Sequence, residues 1–144
     1  MKTVDSINFA NKRAVIRVDF NVPLNEKYEV TDNTRIRATI PTIKKILKDG
    51  GSIVLMSHLG RPKEGPTNKY SLSHVVSEVS KQLGVPVLFA NDCISDDAYS
   101  KSGNLKSGEV LLLENLRFYK EEERGDETFA QKLSKHGSIY VNDA

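Results

Sequence analysis

Four of the seven arginines in the chain, Arg17, Arg35, Arg61 and Arg117, stand in short polar motifs that could hold an anion. Arg17 precedes Asp19 and Asn21. Arg61 closes the run His58-Leu59-Gly60-Arg61-Pro62, and Arg117 closes Glu114-Asn115-Leu116-Arg117. A guanidinium is a planar fork that grips a carboxylate or phosphate through two parallel N–H bonds, whereas a lysine ammonium is a mobile point charge. His58, beside Arg61, could donate to the same group. Arginines of this kind can instead pair with acids such as Asp19 or Glu114 and only staple loops together. The gathering of four of them with one histidine favours a shared site for a small polyanionic metabolite.

Those residues matter because of where the predicted elements put them. Ala14–Phe20 is β-branched and apolar on both faces, the pattern of a strand covered on both sides in a parallel sheet. Thr31-Asp32-Asn33-Thr34 supplies caps for a helix with Ile36, Ile40, Ile43 and Leu47 on one stripe, ended by Gly50-Gly51. Pro41 lies inside that helix and deletes the bond to the Arg37 carbonyl, so a kink is expected. Ser52–Ser57 reads as a second strand. Ser71 or Ser73 caps a helix carrying Leu72, Val75, Val76, Val79 and Leu83, stopped by Gly84. Val85–Phe89 has a proline near its start, which favours a sheet edge, and Glu109–Leu113 is a continuous apolar run of central-strand type. Asn91–Lys106 is polar and predicts no definite element. Asp126 caps a short helix with Phe129 and Leu133, and a last strand begins at Ile139-Tyr140-Val141.

Alternating strands and helices predict an α/β fold, a three-layer α/β/α sandwich with a mostly parallel, Rossmann-like sheet. In such sheets ligands bind outside the carboxyl ends of the strands. Arg17, Asp19, Asn21, His58–Pro62 and Glu114–Arg117 all fall at that edge, joined by Arg35 in the first turn of the first helix. A basic residue there opposes the helix dipole, which suits a group aimed at an anion better than one placed for stability.

Composition narrows the function further. A chain of 144 residues, 38% of them hydrophobic, fits one modest core burying about two thirds of the unfolded surface. With 21 Lys+Arg against 19 Asp+Glu, the charge of +2 offers no broad field for nucleic acid or an anionic membrane. A single cysteine, Cys93, builds neither a disulfide nor a Cys-x-x-Cys metal pair, and fits a small packed residue in a cytoplasm-like compartment. No apolar run approaches a membrane span, and Met1–Ala10 lacks a signal-peptide core. His74 and His136 read as structural, the latter mildly favoured as a cation near a helix C-terminus. Lys120–Arg124 reads as a solvated face. Gly60 and Gly65 have the glycine spacing of a phosphate-binding loop, but Pro66-Thr67 follow where Lys-Ser/Thr is required, and no Gly-x-Gly-x-x-Gly follows the first strand. No metal site is predicted.

At these same residues the sequence resembles the phosphoglycerate kinase family. Arg17–Pro23, Thr34–Arg37 with Ile40–Ile43, Ser57–Pro62, Glu114–Phe118 and Tyr140–Ala144 match five separated family motifs in order. The resemblance implies reversible phosphoryl transfer between 1,3-bisphosphoglycerate and ADP, giving 3-phosphoglycerate and Mg-ATP, in a cytoplasmic, monomeric two-domain enzyme of glycolysis. It implies that residues 1–144 are the substrate-binding N-terminal domain, incomplete at its C-terminal end. The nucleotide domain that binds Mg-ATP, and one further substrate arginine, would lie beyond them, leaving this stretch inactive alone. Carried over by motif, the substrate-binding residues are Asp19, Phe20, Asn21, Arg35, His58, Leu59, Gly60, Arg61 and Arg117. Asp19 and Asn21 would orient the glycerate hydroxyl and carboxyl, and His58, Arg61 and Arg117 would hold the non-reacting phosphate. Arg35 would be the catalytic cation and Arg17 a supporting member of the patch. The alternative is a stand-alone, non-catalytic α/β anion-binding module complete at this length.

Overall fold

Period-two alternation along buried strands divides the interior into two cores. In the computed structural model, which describes residues 6–62, 66–123 and 125–143, strand β2 (Ser52–Met56) is buried throughout. Its Ile53 and Leu55 join one apolar cluster and its Val54 and Met56 the other. The same division runs through β1 (Arg13–Val18) and β4 (Val110–Leu113). With β3 (Val87–Ala90) and β5 (Ile139–Asp143) they form a five-stranded sheet in the order β3-β4-β2-β1-β5. Every pairing is parallel. Burial on both faces is what the unbroken apolar runs require.

Helix α1 (Thr34–Lys48) and α2 (Val76–Leu83) cover one face; α3 (Asp96–Gly103) and α5 (Glu127–Ser134) cover the other. The result is the expected α/β/α sandwich. A short α4 (Lys120–Glu123) joins the turn after β4 to α5. The proline-marked strand does lie at an edge. It begins at Val87, leaving Pro86 outside the ladder, where its missing N–H breaks no strand bond.

Several local expectations change. Helix α1 continues unbroken through Pro41. Arg37 and Pro41 share an exposed face, where solvent can replace the deleted bond. The fully buried positions are Ile36, Thr39, Ile43 and Ile46, while Ile40 and Leu47 are half-buried. Thr39 is tolerated inside because its Oγ1 donates to the Ile36 carbonyl at 2.8 Å. Asn33, at the N-cap position, makes no side-chain cap bond; the helix start is braced instead by Asp32, whose Oδ1 accepts from Thr34 N and Oγ1 at 2.9 and 2.6 Å. Those bonds hold its carboxyl below the usual range. Ahead of α2, a 3-10 turn over Leu72–Val75 is capped by Ser71. Helix α3 has no strong apolar period. Its start is set by Ser95, which accepts from Ala98 N at 3.1 Å, and by Asp96 and Asp97 in its first turn. Gly65 and Arg124 lie outside the described residues.

His136 is structural, but not as a cation. It is fully buried and stacked on Tyr99. Its Nε2 lies 2.6 Å from the Cys93 carbonyl and its Nδ1 2.8 Å from Ser102 Oγ. A carbonyl only accepts, so Nε2 carries the proton of the neutral ring, and Nδ1 is left as an acceptor beside the Ser102 hydroxyl, whose single proton also faces the Tyr99 carbonyl at 3.2 Å. Burial pushes the imidazole below its ordinary value. The folded state therefore refuses a proton that the unfolded chain accepts below about pH 6.5. Stability is complete above that pH and declines as the solution is acidified toward the folded-state value. A His136→Gln variant keeps one donor and one acceptor without titrating. Its melting temperature is expected to fall less steeply than the wild type's between pH 7.5 and 5. Equal slopes would remove His136 as the cause, since His58, also depressed, is common to both.

Candidate functional site

At the carboxyl ends of β1, β2 and β4, hydrogen bonds knit three loops into one edge. After β1, Asp19 Oδ1 accepts from Asn21 N at 3.0 Å, closing a tight turn. Arg35 Nη1 reaches back from the first turn of α1 to the Asn21 carbonyl at 2.7 Å and to Asp19 Oδ1 at 3.5 Å. Its side chain stays half exposed. After β2, Ser57 Oγ accepts from Phe20 N at 2.9 Å, and Gly60 N donates to Asn21 Oδ1 at 2.8 Å. These contacts bind the first loop to the second. After β4, Leu116 N donates to the Ser57 carbonyl at 3.0 Å, and a 3-10 turn over Leu116–Phe118 carries Arg117.

His58 sits half-buried between these loops. Burial lowers its basicity, the charge of Arg117 lowers it further, and Asp19, Arg17 and Glu122 also act on it. Arg17, Asp19, His58 and Arg117 thus share one electrostatic neighbourhood. Arg61 is exposed on the same loop as Gly60. A neutral imidazole among guanidinium groups still offers one N–H to a phosphate oxygen.

Two residues expected to touch a ligand instead lie beneath the edge. Phe20 is fully buried; its N–H goes to Ser57 Oγ and its carbonyl accepts from Val22 N. Leu59 is 4% exposed, with N and O both bonded to Asn115. With their backbone groups so committed, both seat the loops. Arg17 forms an ion pair with Glu122 of α4. That pair also corrects the reading of Lys120–Arg124 as wholly solvated, since the Glu122 side chain is only 12% exposed. Glu114 holds loop groups after β4 and ahead of α2. Its Oε1 accepts from Leu72 N and Asn115 N at 2.7 and 2.9 Å, and its Oε2 from Ser71 Oγ at 2.7 Å. Cys93 is buried, its thiol pushed well up by that burial, and its Sγ donates to the Glu114 carbonyl.

Sequence reasoning assigned no role to Asn115, Ser57 or Glu122. The signal for Asn115 was its place two residues past the end of a buried strand, where a polar side chain has to find backbone partners. Beside the edge, a groove of about 220 Å³ is lined by Asn21, Tyr28, Gly60, Lys69 and Tyr70. Gly60 lines it with a φ of +61°, and a Cβ there would lie 2.4 Å from Tyr70 Cε1. Gly60→Ala combines left-handed strain of about 1–2 kcal/mol with displacement of that ring. Calorimetric unfolding is expected to show a loss of at least that size. A smaller loss would mean that the loop relaxes freely.

Cations and N–H donors lie together at the carboxyl edge of an all-parallel sheet, which defines an α/β protein with a cationic strand-end edge. Among the described residues no three His, Cys, Asp or Glu side chains are grouped to hold a metal ion, and no helix is long and apolar enough to cross a membrane. The family model described as phosphoglycerate kinase matches residues 4–144. The chain belongs to the phosphoglycerate kinase family. It is 49% identical to the phosphoglycerate kinase of Porphyromonas gingivalis, covering 99% of this chain and 39% of that protein. It is 51% identical to that of Chloroherpeton thalassium, covering 99% and 36%. The crystal structure of the Pyrococcus horikoshii phosphoglycerate kinase superposes with a TM-score of 0.89 at 34% identity, covering 100% of this chain and 36% of that one. The chain thus spans well under half the length of these relatives.

Proposed function

We propose that residues 1–144 belong to the phosphoglycerate-binding domain of a cytoplasmic, monomeric phosphoglycerate kinase. The complete enzyme moves a phosphoryl group between 1,3-bisphosphoglycerate and ADP, giving 3-phosphoglycerate and ATP. The observation that supports this reading is the knitted edge itself: Arg35, His58, Arg61 and Arg117 open on one side of the sheet in a chain of this family.

Each residue's committed bonds limit what it can offer. Asn21 Oδ1 is held by Gly60 N, so its Nδ2 is the group that donates to the glycerate carboxylate. Asp19 Oδ1 is held within its own turn, leaving Oδ2 to accept from the glycerate hydroxyl. His58, Arg61 and Arg117 hold the non-reacting phosphate. Arg35 steadies the carboxyl oxygen and the phosphoryl group in flight, where positioning and charge neutralisation supply most of the rate. The Mg²⁺ of Mg-ATP neutralises charge on the nucleotide phosphates. This edge offers donors and cations, which fit an anion and not Mg²⁺, so Mg-ATP falls to the rest of the enzyme. Residues 1–144 alone are therefore inactive.

The test is a coupled assay of the complete protein with 3-phosphoglycerate and Mg-ATP, alongside residues 1–144 alone. Turnover is expected only in the complete protein. If the complete protein binds 3-phosphoglycerate without turnover, the non-catalytic anion-binding reading replaces this one.

A further inference from the structure

Asn115 is completely buried, yet its amide uses all of its ordinary hydrogen-bonding capacity. Its Oδ1 accepts from Leu59 N at 3.2 Å and from Arg117 N at 2.9 Å. Its Nδ2 donates to the Leu59 carbonyl at 2.8 Å and the Tyr70 carbonyl at 2.9 Å. Two lone pairs and two protons meet four backbone partners. The double bond to Leu59 resembles the pairing of a neighbouring strand. It fixes the middle residue of the loop that carries His58, Gly60 and Arg61. The bond to Arg117 N fixes the turn that carries the other phosphate-facing arginine. The bond to Tyr70 O anchors the residue whose ring packs on Gly60. Asn115 is itself held in place, since its backbone N donates to Glu114 Oε1. No aliphatic side chain could do this, and an aspartate would keep the acceptors but lose both donors.

We propose that Asn115 is a positioning residue for the anion site: it sets the spacing between the His58–Arg61 loop and Arg117, and so tunes the grip on the substrate phosphate without touching it. The inference rests on the phosphoglycerate kinase reading above. Buried amide groups left unpaired are costly, so removing Asn115 releases both loops at once.

The experiment compares Asn115→Ala and Asn115→Asp in the complete enzyme with Val79→Ala, a buried apolar residue of α2. In Asn115→Ala, KM for 3-phosphoglycerate is expected to rise about tenfold or more while KM for the nucleotide stays within about twofold. Asn115→Asp shifts the same ratio in the same direction. Val79→Ala lowers the melting temperature without changing the ratio. The proposal is overturned if the Asn115 variants move both KM values together, if they leave the ratio unchanged, or if neither variant folds. If the wild-type enzyme shows no turnover, the functional reading has failed instead. The positioning role is then decided by the affinity of the same variants for inorganic phosphate, expected to weaken for Asn115→Ala and unchanged for Val79→Ala.

Discussion

Replacing Arg35 with alanine in the complete enzyme is expected to lower kcat/KM about 10²–10³-fold, or roughly 3–4 kcal/mol of transition-state stabilisation. The size follows from where the guanidinium is held. Arg35 lies in the first turn of α1, a turn with no acidic residue, so the helix dipole and the side chain present positive charge together. Nη1 is anchored on the Asn21 carbonyl at 2.7 Å, and half of the side chain faces the opening. The cation is thus oriented before the substrate arrives, and little reorganisation accompanies the reaction. Arg35→Lys keeps the charge but loses the fork, and is expected to recover only part of the rate. Melting temperatures of both variants should stay close to the wild type, because the 3.5 Å pairing with Asp19 and the bond to the Asn21 carbonyl are both exposed and contribute little. A loss of activity confined to KM, with kcat intact, would assign Arg35 to ground-state binding alone.

Leu112→Ala is expected to cost about 3–4 kcal/mol of stability. Leu112 is fully buried on β4, paired with Leu55 of β2 on one side and Phe89 of β3 on the other. The lost methyl groups leave a cavity between the sheet and the α1–α2 layer, whose packed side chains relax into it only in part. The loss is a large fraction of the ~5–15 kcal/mol available to an ordinary domain. Denaturant unfolding should show a lower midpoint with an unchanged slope. A loss below about 1 kcal/mol would mean that the α1–α2 face of the core repacks.

The pattern of apolar residues was enough to specify the layers. Unbroken runs such as Val110–Leu113 specify strands buried on both faces, and Pro86 specifies an edge. Where a helix lacks such a stripe, as α3 does, only its cap and first-turn acids mark it, and these are weak signals because serine and aspartate also make turns. Motif order alone brought Asp19, Asn21, Arg35, His58, Arg61 and Arg117 to one edge, since a parallel sheet gathers its strand-to-helix loops there.

What only the tertiary structure decided is which of those residues face outward and which are spent holding the others. Phe20 and Leu59 sit in the same motifs as Asn21 and Gly60 but lie in the core, because their backbone groups meet Ser57 and Asn115. Arg17 turns to Glu122, 105 residues away, and Asn115 joins loops 45 and 56 residues distant. Local sequence carries residue type and spacing. It does not carry the identity of a partner brought near by the folding of an entire sheet, and for buried polar groups that partner decides the role.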